Sequence, residues 1–71
     1  MAERICADMV ANVWKVLVAE GAEVQEDDTI AILESMKMEI PVLTETSGTV
    51  TRVAVNEGGT VQEGDLIAVI E

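Results

Sequence analysis

Histidine is absent from this sequence of 71 residues, and cysteine and aromatic residues occur once each. The lone Cys6 cannot form an internal disulfide, and one thiolate without histidine cannot hold a structural zinc ion. The acidic turn Glu26–Asp28 is interpreted as solvated, so no metal site is predicted. No histidine is present to activate a nucleophile, so the sequence argues against an enzyme in its own right.

Basic residues are also scarce, with four Lys and Arg against 14 Asp and Glu and a net charge of −10. Nucleic-acid binding needs basic side chains at the phosphates, and one aromatic residue provides no stacking platform. Like charge keeps copies apart, so we expect a monomer. Apolar runs are far shorter than the about 20 residues of a membrane span. The first residues lack a signal-peptide pattern, which together with an unpaired cysteine predicts a cytoplasmic protein.

The residues that are abundant favour β-strands. Apolar residues make up 49% of the chain, and they include 11 Val and 6 Ile; with 6 Thr, 23 residues are β-branched. Branching at Cβ favours extended backbone. At this length we expect one domain, residues 1–71, whose stability rests on regular packing.

An internal repeat divides the chain into two similar halves. Residues 11–34 and 48–71 are identical at 12 of 24 positions when offset by 37. Repeats dictate architecture, and two copies indicate halves related by a pseudo-twofold axis. Turn residues at regular intervals indicate an all-β sandwich or barrel, with no convincing helix. The predicted strands are Glu3–Asp8, Val13–Val18, Glu23–Gln25, Thr29–Glu34, Met38–Leu43, Val50–Val55, Thr60–Gln62 and Leu66–Ile70.

The hairpin between Thr29–Glu34 and Met38–Leu43 departs from ordinary turn chemistry. Tight hairpins favour Asn-Gly or Gly-X because their central residues need positive φ. Here Met36 and Lys37 form the predicted tip, and Met38 follows. Sequences break local rules mostly at functional or strained sites. One interpretation is that Lys37 is an ordinary solvated lysine between core methionines. The other is that the tip presents the Lys37 amine for covalent modification, and that the adaptable methionines form a recognition surface.

The segment Glu34-Ser35-Met36-Lys37-Met38-Glu39-Ile40-Pro41-Val42 resembles the attachment motif of biotinyl domains, the biotin carboxyl carrier modules of biotin-dependent carboxylases. That family usually has alanine where this chain has Ser35. The Glu-Gly turns and the closing Gly-Asp-Leu-Ile are similar to the family as well, so that the likeness covers roughly residues 3–71. Among its members, the chain is most similar to the small stand-alone carriers of the biotin/lipoyl attachment type.

The resemblance implies a flattened eight-stranded barrel-sandwich hybrid. It implies that biotin protein ligase biotinylates Lys37, with Met36 and Met38 recognised by the ligase and Ser35, Glu34 and Glu39 flanking the site. The swinging arm would carry carboxybiotin between the biotin carboxylase and carboxyltransferase subunits of an acyl-CoA type carboxylase. A lipoyl carrier is an alternative, although such sites usually read Asp-Lys-Ala. The second alternative is a barrel-sandwich adapter that carries no covalent modification.

Three further expectations concern single residues and the ends of the domain. Cys6 is expected to pack as a small apolar side chain, Trp14 to cover a sheet face or an edge, and Pro41 to lie on an edge strand. Offsetting the hairpin tip by 37 reaches just beyond Glu71. The pseudo-twofold therefore predicts that Lys37 and the C-terminus lie at opposite ends, with the first strand beside the last.

Overall fold

The computed structural model describes residues 2–71, and it consists of β-strands joined by turns. The strands are β1 (Glu3–Cys6), β2 (Ala11–Val16), β3 (Glu23–Val24), β4 (Thr29–Ser35), β5 (Met38–Leu43), β6 (Gly48–Val53), β7 (Thr60–Val61) and β8 (Leu66–Ile70). The predicted all-β class is confirmed. Over the residues that the structure describes, no helix has the length and apolar character needed to cross a membrane.

The strands form two four-stranded sheets, which confirms the flattened barrel-sandwich hybrid that the resemblance implies, and these sheets do not close into one barrel. Their orders are β1-β8-β6-β3 and β5-β4-β2-β7, and neighbouring strands are antiparallel. Two of the edge strands, β3 and β7, have only two residues each. Pro41 lies in the third edge strand, β5, as expected. Short strands and proline at sheet edges hinder pairing with other chains.

The core lies between the two sheets and is formed by branched aliphatic side chains from both halves. Its largest fully buried apolar side chains are Val13, Ile30, Val50, Ile67 and Ile70. Small residues such as Ala31 and Ala68, both 0% exposed, let the sheets approach closely. Apart from Thr44, which is also fully buried, the described interior is filled by aliphatic side chains, which explains how the fold forms with a single aromatic residue.

The two sheets are related by the same offset of 37 that relates the sequence halves. The offset exchanges the two sheets: adding 37 takes β1 to β5 and β3 to β7, and subtracting 37 takes β8 to β4 and β6 to β2. The register is also conserved between the sheets: Val13↔Leu33 corresponds to Val50↔Ile70. The predicted superposition of the halves is thus supported strand by strand. The relation also includes β1 and β5, which lie outside the sequence match at 11–34 and 48–71.

Two glutamates retained by the repeat join the halves to each other. The Val16 N–H donates to the Glu57 carboxylate at 3.0 Å, and the Val53 N–H donates to Glu20 at 3.2 Å. Each bond satisfies a backbone donor where a strand ends. The strands β2 and β6 end at Val16 and Val53, two residues earlier than predicted.

An equivalent pair of aspartates shapes the turns before β4 and β8. Asp28 accepts a hydrogen bond from the Gln25 N–H, and Asp65 accepts one from the Gln62 N–H, both at 2.9 Å. Such side-chain-to-backbone bonds stabilise tight turns. The sequence identities between the halves therefore include the hydrogen-bonding residues of the turns.

Candidate functional site

The hairpin between β4 and β5 has a two-residue tip. The ladder pairs Glu34 with Glu39 and Ser35 with Met38, which leaves Met36 and Lys37 to turn the chain. Their φ angles are +52° and +67°, as predicted for the two central residues of a tight hairpin turn. For residues other than glycine or asparagine, the left-handed region costs on the order of 1 kcal/mol or more each. The hairpin is therefore strained at the lysine that the sequence singles out.

The side chains at the tip extend into solvent. Met36 is 91% exposed and Met38 is 64% exposed, and Lys37 is exposed as well. The hypothesis that these methionines belong to the core is therefore wrong. Burying large apolar side chains is favourable, so two exposed methionines around one lysine are unusual unless another surface covers them. The amine of Lys37 is accessible to a partner from outside the domain.

The base of the hairpin is anchored and its outer face is acidic. Leu33 is buried and pairs with the half-buried Ile40, so this is the ladder pair nearest the tip that packs against the core. Glu34 and Glu39 form the next pair and both are exposed. The turn geometry makes theirs a non-hydrogen-bonded pair, whose side chains lie close together across the ladder. The tip thus stands on a rigid base with two neighbouring carboxylates, as the flanking positions named from the sequence suggest.

Lys37 lies at one end of β5, and the C-terminus lies near the other end of that strand. Glu3 pairs with Ile70, which precedes the last residue. The Glu3 carboxylate lies 3.0 Å from the Thr44 hydroxyl, just past the far end of β5. The six residues of β5 span about 20 Å at 3.4 Å per residue. The hairpin therefore points away from the chain terminus, as the repeat predicts.

The remaining sequence-based expectations have mixed outcomes. Cys6 is exposed on β1, so its predicted packing in the core is wrong, because side chains alternate along the strand and Ile5 takes the inward position. Trp14 is 45% exposed at an irregularity in β2, with the Lys15 amine 5.7 Å from the ring centroid. Within residues 2–71 no cluster of three or more potential metal ligands occurs.

Sequence analysis did not single out two exposed apolar residues beside the hairpin, Met9 and Val10. They are 42% and 62% exposed and lie in the connection between β1 and β2. A comparison with their counterparts in the repeat, Thr46 and Ser47, could have identified them, because the other half is polar there.

Comparisons with known proteins agree with this geometry. Residues 4–70 match the biotin/lipoyl family model, which is described as a biotin-requiring enzyme. The chain is 51% identical over 51 residues to the biotinylated protein TB7.3 homolog of Mycobacterium leprae, covering 72% of each. It superposes on part of the urea carboxylase of Kluyveromyces lactis with a TM-score of 0.91 and 35% identity. A single-chain, multi-domain long-chain acyl-CoA carboxylase gives 0.89 and 28%.

The two carboxylases are far larger than this chain. The match covers 100% of this chain but 6% of the urea carboxylase, and 96% of this chain but 7% of the acyl-CoA carboxylase. The family match extends over nearly the whole sequence, so this chain belongs to the biotin/lipoyl attachment family. Members are carriers of a covalently held prosthetic group and not catalysts, and biotin is the cofactor that the family description gives.

Proposed function

We propose that Lys37 is the biotin attachment site and that biotin protein ligase is the enzyme that modifies it. The observation that carries this proposal is the exposed lysine on a left-handed, two-residue tip between two exposed methionines. A primary amine is the group needed for an amide bond to the carboxyl group of biotin. The chain's other lysine, Lys15, is also exposed, but it lies within the inner strand β2 over the Trp14 ring and not at a protruding tip.

The attachment step requires only the amine from this chain. The deprotonated Nζ of Lys37 attacks the carbonyl carbon of biotinyl-adenylate, the amide bond forms, and AMP leaves with the electron pair of the broken acyl–phosphate bond. The proton that the amine loses passes to solvent or to a ligase group. The chain supplies no residue that catalyses this step, which is consistent with a carrier.

The positioning of the arm is the domain's contribution after attachment. The bound group supplies a nitrogen that takes up and releases a carboxyl group. Lys37 holds the group on a long side chain at one end of a rigid domain, about 20 Å from the terminal end. A tether of this kind replaces free diffusion between two sites with a search at high effective concentration. We therefore propose transfer between biotin carboxylase and carboxyltransferase partners, in the cytoplasm.

The carrier fold is shared by carboxylases that are named for different substrates. Carboxylases named for urea and for long-chain acyl-CoA contain domains that superpose on this one almost equally well. The choice of acceptor must then be made by the carboxyltransferase and not by the carrier fold. We propose an acyl-CoA type carboxylase, following the motif resemblance.

Labelling by a purified bacterial biotin protein ligase with ATP and biotin tests the proposal. We expect one biotin on the unchanged protein, one on Lys15→Arg and none on Lys37→Arg, as read by intact mass. Labelling of Lys37→Arg to the same extent would contradict the site. A lipoyl carrier would instead be labelled by lipoate ligase and not by biotin ligase.

A further inference from the structure

The internal repeat provides a comparison between two copies of one backbone, only one of which carries the modification hairpin. The connection at residues 7–10 and its counterpart at 44–47 have the same backbone pattern of two bends between strands. Equivalent hydrogen bonds fix both connections, from the Ala7 N–H to Asp65 and from the Thr44 N–H to Asp28. The backbone bonds that the two connections share are therefore made in both copies, and the Thr44 hydroxyl adds bonds to the Thr46 backbone in the second copy alone.

The two connections differ in the side chains that they expose. The first exposes Met9 and Val10, whereas the second has Thr46 and Ser47 at the equivalent positions. Thr46 and Ser47 occupy the same backbone conformation as Met9 and Val10. The fold therefore does not explain why Met9 and Val10 are large apolar side chains exposed to water. Exposed apolar residues that cluster mark interaction surfaces.

Met9 and Val10 lie at the same end of the domain as Lys37. Asn12 pairs with Glu34, so continuing this register two residues toward the tip brings Val10 level with Met36. Met9 lines a groove together with Ile40, two residues beyond Met38. Met9, Val10, Met36 and Met38 are thus exposed apolar residues at the same end of the domain, and this set is called here the apolar collar.

We infer that the apolar collar is the docking surface for biotin protein ligase, with Met9 and Val10 as specificity-determining contacts beyond the hairpin. This inference depends on the proposed function. A bare lysine reaches only four methylenes beyond its Cα atom. Its amine can enter an acyl-adenylate site only if the ligase closes onto the hairpin, and this closure would also cover residues level with Met36. Carboxylase sites receive the longer biotinylated arm and can stand further from the tip.

Charge determines the chemistry of the partner surface. Acidic residues border the collar, with Asp8 next to Met9 and the exposed pair Glu34 and Glu39 below the tip. A complementary ligase surface is apolar at its centre and basic at its rim. Contacts between rim charges mainly affect association and weaken as salt increases. With a net charge of −10, a second copy of this chain is a poor occupant of the same surface.

The test replaces Met9 and Val10 with the residues of the other half, giving Met9→Thr/Val10→Ser. Leu17→Ala is the matched control, since Leu17 is 52% exposed just past the far end of β2 and its counterpart is Ala54. Biotinylation rates with a purified bacterial ligase are measured against carrier concentration. We expect the KM of the double variant to rise about tenfold, which corresponds to about 1.4 kcal/mol and exceeds the cost of truncating most interface residues. We expect Leu17→Ala to leave KM and kcat unchanged.

A thermal melt and a competition assay separate docking from stability. In the thermal melt, the double variant should keep its melting temperature. In the competition assay, Lys37→Arg serves as a competitor that inhibits labelling of the unchanged protein. A competitor that also carries Met9→Thr/Val10→Ser should inhibit tenfold more weakly. An unchanged KM, or an equal rise for Leu17→Ala, would overturn the inference. So would a dimer in sedimentation that the double variant abolishes, because the collar would then bind a second copy. No labelling of the unchanged protein would contradict the proposed function itself, and the docking inference with it.

Discussion

Met36→Asn separates the strain of the hairpin from its recognition. Met36 has a φ of +52° and a side chain that is 91% exposed. The substitution therefore removes little packing, and it places in the left-handed region a residue that tolerates it and is favoured at this turn position. Relief of roughly 0.5–1 kcal/mol follows, which for a domain of this size raises the melting temperature by about 2–8 °C.

Met38→Asn is the matched control for that variant. Met38 has an ordinary φ, since among the described residues positive φ outside glycine is confined to Asp27, Met36 and Lys37. Asparagine there relieves no strain and is a poor strand residue, so the melting temperature should stay the same or fall slightly. Calorimetry measures the stability of both variants, and ligase kinetics measures recognition. We expect both variants to be biotinylated more slowly, although one is more stable and the other is not.

Two results would refute this reasoning. A fall of several degrees for Met36→Asn would show that the methionine contributes packing, contrary to its exposure. Unchanged biotinylation of both variants would show that the methionines are not recognised, and their exposure would then need another explanation.

Three further predictions concern the stability of the domain. Glu20→Ala and Glu57→Ala should each lower the free energy of unfolding by about 0.5–1.5 kcal/mol, equally within error in urea titrations; a large inequality would contradict the equivalence of the two bonds. Gly48→Ala should cost about 1–3 kcal/mol, because the added methyl group meets the carbonyl of the last residue, and a melting temperature equal to that of the unchanged protein would be inconsistent with this close approach. Asp27→Gly should be neutral or stabilising within about 1 kcal/mol, since its φ of +71° favours glycine, the residue found at the equivalent position; a clear loss of stability in the same titrations would disprove the role of strain.

Much of the fold could be predicted because the repeat preserves the residues that determine it. Glycines, turn aspartates and clamping glutamates recur at the offset of 37, so both halves were recognisable before their pairing was known. The strands β5 and β8 were predicted with their observed bounds. The equivalence of β1 and β5 was missed, because Glu3–Cys6 and Ile40–Leu43 share no identical residue and are related only by their ladder positions.

The site was predictable in its location but not in its extent. Met36 and Lys37 depart from the turn rule, so the sequence alone marks them as a candidate site. The exposure of Cys6 and Val10 depends on which face of a strand or bend points outward. The sequence of a short segment with irregular register does not determine that face. The register shift between Ile5 and Cys6 is visible only in the folded ladder.

Tryptic digestion of the ligase-treated protein tests the central claim most directly. Trypsin cleaves after unmodified lysine and arginine, and the sites are Arg4, Lys15, Lys37 and Arg52. If Lys37 carries biotin, cleavage there fails, and mass spectrometry finds a fragment spanning residues 16–52 with the mass of one biotinyl group added. Cleavage at Lys37 with the biotin found on Lys15, or on neither lysine, would contradict the account.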